Sequence, residues 1–302
     1  NIGNATLTDT VPTAINVANS NAVISVTDSS IAKTTPGAAI NVDGGSPAFD
    51  YEGKITNSQG NILHVNGTLG GSVTLTSPAG SPFVETGDGI HVENSAGDVT
   101  VTGAKITSQL EGILVENSSG ANTFNDITIN GAVTAGVSLQ NNTGVENFNN
   151  LQVTTNNATG FLATNNTEIN VTGNSKITST GAPALKVQNT ITPVDLNMNF
   201  TALSSTNSPT NGVYVDKASG ALNATNVTVT NSQATGVVIA NSDKLDVNFQ
   251  NTTVTTGTAA GANGIEVVNT DRTGGTVNLG TVTVTTGRGA GLTVTNSGTA
   301  GN

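Results

Sequence analysis

The chain has 302 residues, with 9 basic against 20 acidic side chains, a net charge of −11, and neither Cys nor Trp. That balance argues against nucleic acid or an anionic membrane surface as the main partner, and the missing Cys removes disulfides, thiolate zinc sites and cysteine nucleophiles. Thr (51), Asn (41) and Gly (36) fill roughly two fifths of the chain while helix formers are scarce, which excludes a mostly helical fold.

The first residues, Asn1 to Thr13, alternate weakly through Ile2, Ala5, Leu7 and Val11 and are predicted to form a partial coil. The chain starts at Asn1 without a Met or a signal peptide, as expected of a processed form or an excised piece. No apolar run approaches the ~18 residues of a membrane span, so no membrane insertion is expected.

From Ala14 onward a hexapeptide recurs as small–apolar–x–apolar–x–Asn. The first copies are loose: Ala14 to Asn19, Ala39 to Gly44 and Ile62 to Gly67. The clearest follow, at Gly89 to Asn94, Gly112 to Asn117 and Gly136 to Asn141. Then come Gly160 to Asn165, Ala184 to Asn189, Gly212 to Lys217, Gly236 to Asn241, Gly264 to Asn269 and Gly291 to Asn296. The spacings of these twelve copies run 25, 23, 27, 23, 24, 24, 24, 28, 24, 28 and 27, the range of stacked repeat proteins.

Each unit reads alike. An alternating strand such as Ile90/Val92 leads into a polar turn. A second strand such as Val99/Val101 or Ile169/Val171 follows, then a Gly or Asn corner and a short Thr-rich third strand, as at Ile106, Ile177 or Val282/Val284. Period-2 alternation gives each strand one buried face. A unit this short cannot bury that face alone and must stack on its neighbour. Nine of the twelve copies end in Asn and two more in Gly44 and Gly67, residue types that tolerate the left-handed backbone of a tight corner. Asn side chains stacked one coil apart can hydrogen-bond into a ladder.

The motif, the period of about 25 and the Asn corner resemble the right-handed parallel β-helix, the pectate-lyase-like solenoid, over Ala14 to Asn302. The expected fold is therefore all-β: one right-handed parallel β-helix domain spanning 1–302, about twelve coils of three strands, with an Asn ladder at one corner. The named inward stack is Ile90, Ile113, Val137, Phe161, Leu185, Val213, Val237, Ile265 and Leu292. In style the composition is similar to repeat segments of bacterial surface and autotransporter-type adhesins. That likeness implies a non-enzymatic structural or adhesive segment, secreted or on a cell surface. Its expected partners are further copies or flanking solenoid segments, and glycans or proteins of a host or cell surface. Two other readings are a filament subunit stacking through open coil ends, and a carbohydrate-active enzyme.

Enzymes of the resembled fold carry Asp clusters on an outer sheet, with Arg or Lys as base in the lyases. The outward third-strand positions here read Thr56, Thr107, Thr128, Gln152, Thr178, Thr228, Thr255 and Thr283, without an acid. The two arginines, Arg272 and Arg288, fall in turns away from any Asp cluster, so no catalytic residue is expected. The two histidines, His64 and His91, take the same outward position on adjacent coils, with Glu93 and Glu116 at the next outward position. His64, His91, Glu93 and Glu116 are thus expected to share one exposed patch able to take up a divalent transition metal weakly; no other cofactor is expected. Asp43-Gly44-Gly45 and Glu85-Thr86-Gly87-Asp88 read as acidic turns of a kind that suits calcium, without the nonapeptide calcium repeat. The 11 Asn-x-Ser/Thr sequons are no more than this composition places by chance.

Overall fold

The computed structural model describes residues 1–8, 12–108, 110–270 and 274–297; Val11, Arg272 and Asn302 lie outside them. Among the described residues there is no helix, and the strands stack coil on coil as a parallel β-solenoid of about 12 turns, about 24 residues each. The chain divides into two compact units, residues 1–152 and 153–302.

In the first unit the motif strands are Ile15–Ser20, Ile40–Gly45, Asn61–Asn66, Gly89–Glu93, Glu111–Glu116 and Ala135–Gln140. Each pairs in parallel with the next, so Ile40, Leu63, Ile90, Ile113 and Val137 form one inward row, all fully buried. Ile62 is an extra residue in this row, absorbed by a register shift between Gly89 and Ile90. In the second unit the motif strands Leu185–Gln188, Val213–Asp216, Val237–Ala240 and Ile265–Val268 continue the pattern. There the buried row is Phe161, Leu185, Val213, Val237 and Ile265. Leu292 keeps the register of this row opposite Ile265 but is 55% exposed, because no described strand covers its other side.

The small residue that opens the motif is fixed by packing. A Cβ on Gly112 would lie 2.5 Å from Ile129 Cγ2 and 2.7 Å from Gly136 O, inside van der Waals contact with the third strand's interior face. The corner residue is fixed by conformation. Asn94, Asn117 and Asn141 have φ of 51°, 51° and 55°, Gly44 and Gly67 have 66° and 62°, and even Lys217 stands at 54°. Such a turn costs an ordinary residue about 1–2 kcal/mol, less for Asn and least for Gly. It turns the chain while each corner N–H still bonds forward to the adjacent coil: Asn94 to Glu116 O at 3.0 Å, Asn117 to Gln140 O at 2.9 Å. In the second unit the corner side chains also join, Asn269 Nδ2 donating to Asn241 Oδ1 at 3.1 Å and Asn241 Nδ2 to Asp216 Oδ1 at 2.8 Å.

Two features differ from the expectation. The second and third strands often run together as one long bent strand, as in Val23–Lys33, Asn122–Ala132 and Lys244–Thr256. At Asp28 and Asp126, with φ of 50° and 54°, the bend is a single left-handed residue, so the ladder resumes at once instead of breaking. The residue after the corner, moreover, points inward and is polar. Thr68, Ser95, Ser118 and Asn142 are all buried in the first unit, closing hydrogen bonds such as Ser118 Oγ to Ser95 O at 3.0 Å and Asn142 Nδ2 to Val115 O at 3.0 Å. This polar seam satisfies backbone groups that the turn would otherwise leave buried and unpaired.

Candidate functional site

His64 lies on the strand Asn61–Asn66, His91 and Glu93 on Gly89–Glu93, and Glu116 on Glu111–Glu116. Because Leu63/Val65 and Ile90/Val92 face inward, the residues between and after them face outward. The strand register sets His91 beside His64 and Glu93 beside Glu116. The four residues thus share one face, about a quarter exposed each.

The imidazoles are 5.1 Å apart between ring centres, tilted by 38°. His64 Nε2 is 3.1 Å from Glu93 Oε1, and His91 Nε2 is 3.2 Å from Glu116 Oε1. Donor atoms of His64, His91 and Glu93 all lie within 4.8 Å of one another. Glu116 stays outside that triple, against His91.

Two further groups at this site, Asn41 and Glu111, were not singled out in the sequence, and a third, Asp88, was read there only as part of an acidic turn. Asn41, the outward residue one coil before His64, places its Oδ1 2.9 Å from His64 Nδ1, while its Nδ2 donates to Asn16 Oδ1 at 2.8 Å. Following the His register back one coil finds it. Asp88 and Glu111 each precede the motif's opening Gly, a regularity visible in the sequence. Burial raises the Glu111 carboxyl above the ordinary carboxylate range; the His91 charge opposes the rise, and Asp88 and Glu116 add to it.

The acidic stretch Glu85 to Asp88 is not the open turn expected. Glu85 is fully buried in the inward row beside Asn57. Burial raises its carboxyl to about 8, the backbone N–H of Gly89 opposing the rise and the Asp88 charge adding to it. Glu146 is a second fully buried acid. Asn122, its register partner, donates Nδ2 to Glu146 Oε1 at 3.1 Å, leaving Asn122 Oδ1 and Glu146 Oε2 unpaired. Its carboxyl is likewise raised to about 8 by burial, with the Asn122 bond opposing. Burial without a countercharge thus favours the neutral form of both acids.

The outward Thr stripe is also reordered. Lys105, not Thr107, lies beside Thr128, and Val84 lies between Thr56 and Lys105. In the second unit Thr178, Ser204, Thr228, Thr253 and Thr283 align, with Thr253 in the row instead of Thr255. Near the second bend of that unit Asn199, Asn223, Asn248 and Asn278 stand in register, with Asn223 Nδ2 donating to Asn199 Oδ1 at 2.9 Å and Asn278 Nδ2 to Asn248 Oδ1 at 3.2 Å. Asn199, Asn223 and Asn248 form one wall and Thr201, Thr225 and Gln250 the other of a furrow of about 380 Å³. No protein-family model matches the chain, and neither does any curated protein or solved structure.

Proposed function

We propose that this chain is a non-enzymatic, extracellular structural or adhesive β-solenoid, part of a secreted or cell-surface protein of the adhesin type within the pectate-lyase-like class. The observation that carries the reading is the amide-walled furrow of the second unit. Its Asn side chains repeat once per coil, Asn223 bonding to Asn199, so they present aligned donors and acceptors at a spacing of ~4.8 Å. Such a surface suits repetitive polar partners, above all glycans, whose hydroxyls need many weak, regularly placed hydrogen bonds. Glu93 and Glu116, the adjacent outward acids of the first unit, are each held by a histidine, a pairing that suits binding more than sugar cleavage.

Binding to a glycan array, with Asn223→Leu as the comparison, tests this. The parent is expected to retain a subset of polysaccharides and the variant to lose them while keeping its circular dichroism. Release of reducing or unsaturated sugar ends by the parent, abolished in Glu93→Gln, would replace this reading with the enzyme reading.

Self-stacking or continuation into flanking coils is a second reading, favoured by interior side chains left open. In the first unit Ile2, Leu7, Ile15, Val17, Ile24 and Val26 line an apolar cavity of about 410 Å³. In the second unit Val282, Leu292 and Val294 are 44%, 55% and 59% exposed. A further parallel coil, from the same polypeptide or another copy, would cover either set.

A further inference from the structure

We infer that His64, His91 and Glu93 bind a divalent transition-metal ion of the zinc or nickel class, with Asn41 as the residue that orients His64. Asn41 fixes the tautomer of His64. Its Nδ2 is engaged by Asn16, so its oxygen faces His64 and the hydrogen of that ring sits on Nδ1. The lone pair of His64 Nε2 then points at the Glu93 carboxylate, 3.1 Å away. Two acceptors cannot face each other at that distance without a cation between them, and the cation is either a second ring proton or a metal. An imidazole that donates its far N–H to an oxygen and turns its near nitrogen to a carboxylate has the outer-shell arrangement of a metal ligand.

His91 supplies the second nitrogen from the adjacent coil. The three donors span up to 4.8 Å, whereas a tetrahedral zinc or nickel site with bonds of ~2.0–2.1 Å needs donors about 3.3 Å apart. Rotamer adjustment of partly exposed side chains closes that difference. Glu93 and Glu116 stand side by side next to the pair, and two like charges that close are relieved by a bound cation. Two imidazoles and one carboxylate select nickel, copper or zinc over calcium and magnesium, whose preferred ligands are all oxygen. One sheet face cannot enclose an ion, so water completes the shell and binding is weak.

The test is calorimetric titration of the parent with zinc and nickel chloride, with calcium chloride in parallel, alongside proton NMR of the two histidines, the only ones in the chain. The expected result is one ion per chain, displacement of both histidine ring signals, and no heat with calcium. Asn41→Ala, which removes no ligand, lowers the affinity about tenfold, and His91→Ala abolishes binding with circular dichroism unchanged. No heat in the parent, equal heat with calcium, or binding that survives both His64→Ala and His91→Ala would overturn the assignment.

Discussion

Replacing Glu146 by Gln separates a buried neutral acid from a buried charge. The folded carboxyl is raised to about 8 from an ordinary 4.5, so the folded chain holds this proton more tightly than the unfolded one. The stability it contributes is therefore fully present below about 4.5 and is lost as pH rises through about 8. At ~1.4 kcal/mol per pH unit the whole window is worth on the order of 5 kcal/mol. Gln has the same shape, keeps the acceptor for Asn122 Nδ2 and cannot ionise. Urea denaturation followed by far-ultraviolet circular dichroism at five pH values from 5 to 9 reads the difference. Parent and variant should unfold alike at pH 5, and the variant should be the more stable by several kcal/mol at pH 9. Glu85 titrates in the same window and leaves the variant part of the slope. Parallel profiles for the two proteins across the whole range would show that Glu146 is not a buried acid, and the reasoning from its unpaired oxygen would fail.

The remaining predictions concern the coil itself. Ile113→Asp puts an unpaired charge in a fully buried row and is expected to cost at least about 4 kcal/mol; a thermal melt matching the parent's would place the residue outside the core. Asn117→Val forces a β-branched residue to a φ of 51° and should cost about 2 kcal/mol, whereas Asn117→Gly should leave the melt unchanged within about 1 kcal/mol. Equal melts for the two corner variants would mean that the left-handed turn does not set the residue type.

The repeat was legible because three independent constraints recur in one hexapeptide: Gly112 packs against Ile129, Ile113 is buried, and Asn117 turns left-handed. The His and Glu patch followed from that register alone, since the motif strands pair residue for residue. The Thr rows were less legible for a physical reason. A slip of two residues keeps every side chain on its face, so alternation cannot tell Thr107 from Lys105 or Thr255 from Thr253. Composition also hid the interior polar groups. Ser95 and Glu85 belong to residue types that usually mark exposed turns, and their burial depends on neighbours one coil away. The amide beside Glu146 sits 24 residues earlier in the chain, at Asn122, where nothing local points to an acid.

Unequal coil lengths have a consequence for how this chain can vary. The first-to-first spacing is 23 residues from Ile90 to Ile113 but 28 from Leu185 to Val213, yet both pairs sit in register. Extra residues fall at corners: in the coil from Leu63 to Ile90, Pro78 to Ser81 lies between the strands Ser72–Thr76 and Phe83–Glu85, and in the coil from Leu185 to Val213, Thr190 to Pro193 precedes the strand Val194–Thr206, with Ile191 at 87% exposed. Closing a longer loop there adds only about 0.6 kcal/mol for each doubling of its length, while one residue added within a strand would turn its buried side chains outward. The corners are thus the places where segments of new sequence can enter without disturbing the stack, each emerging beside a face whose rows stay fixed. A peptide inserted between Thr190 and Pro193 would be displayed at a set distance from every row of the second unit, which makes the coil a scaffold whose presented surface changes independently of its frame.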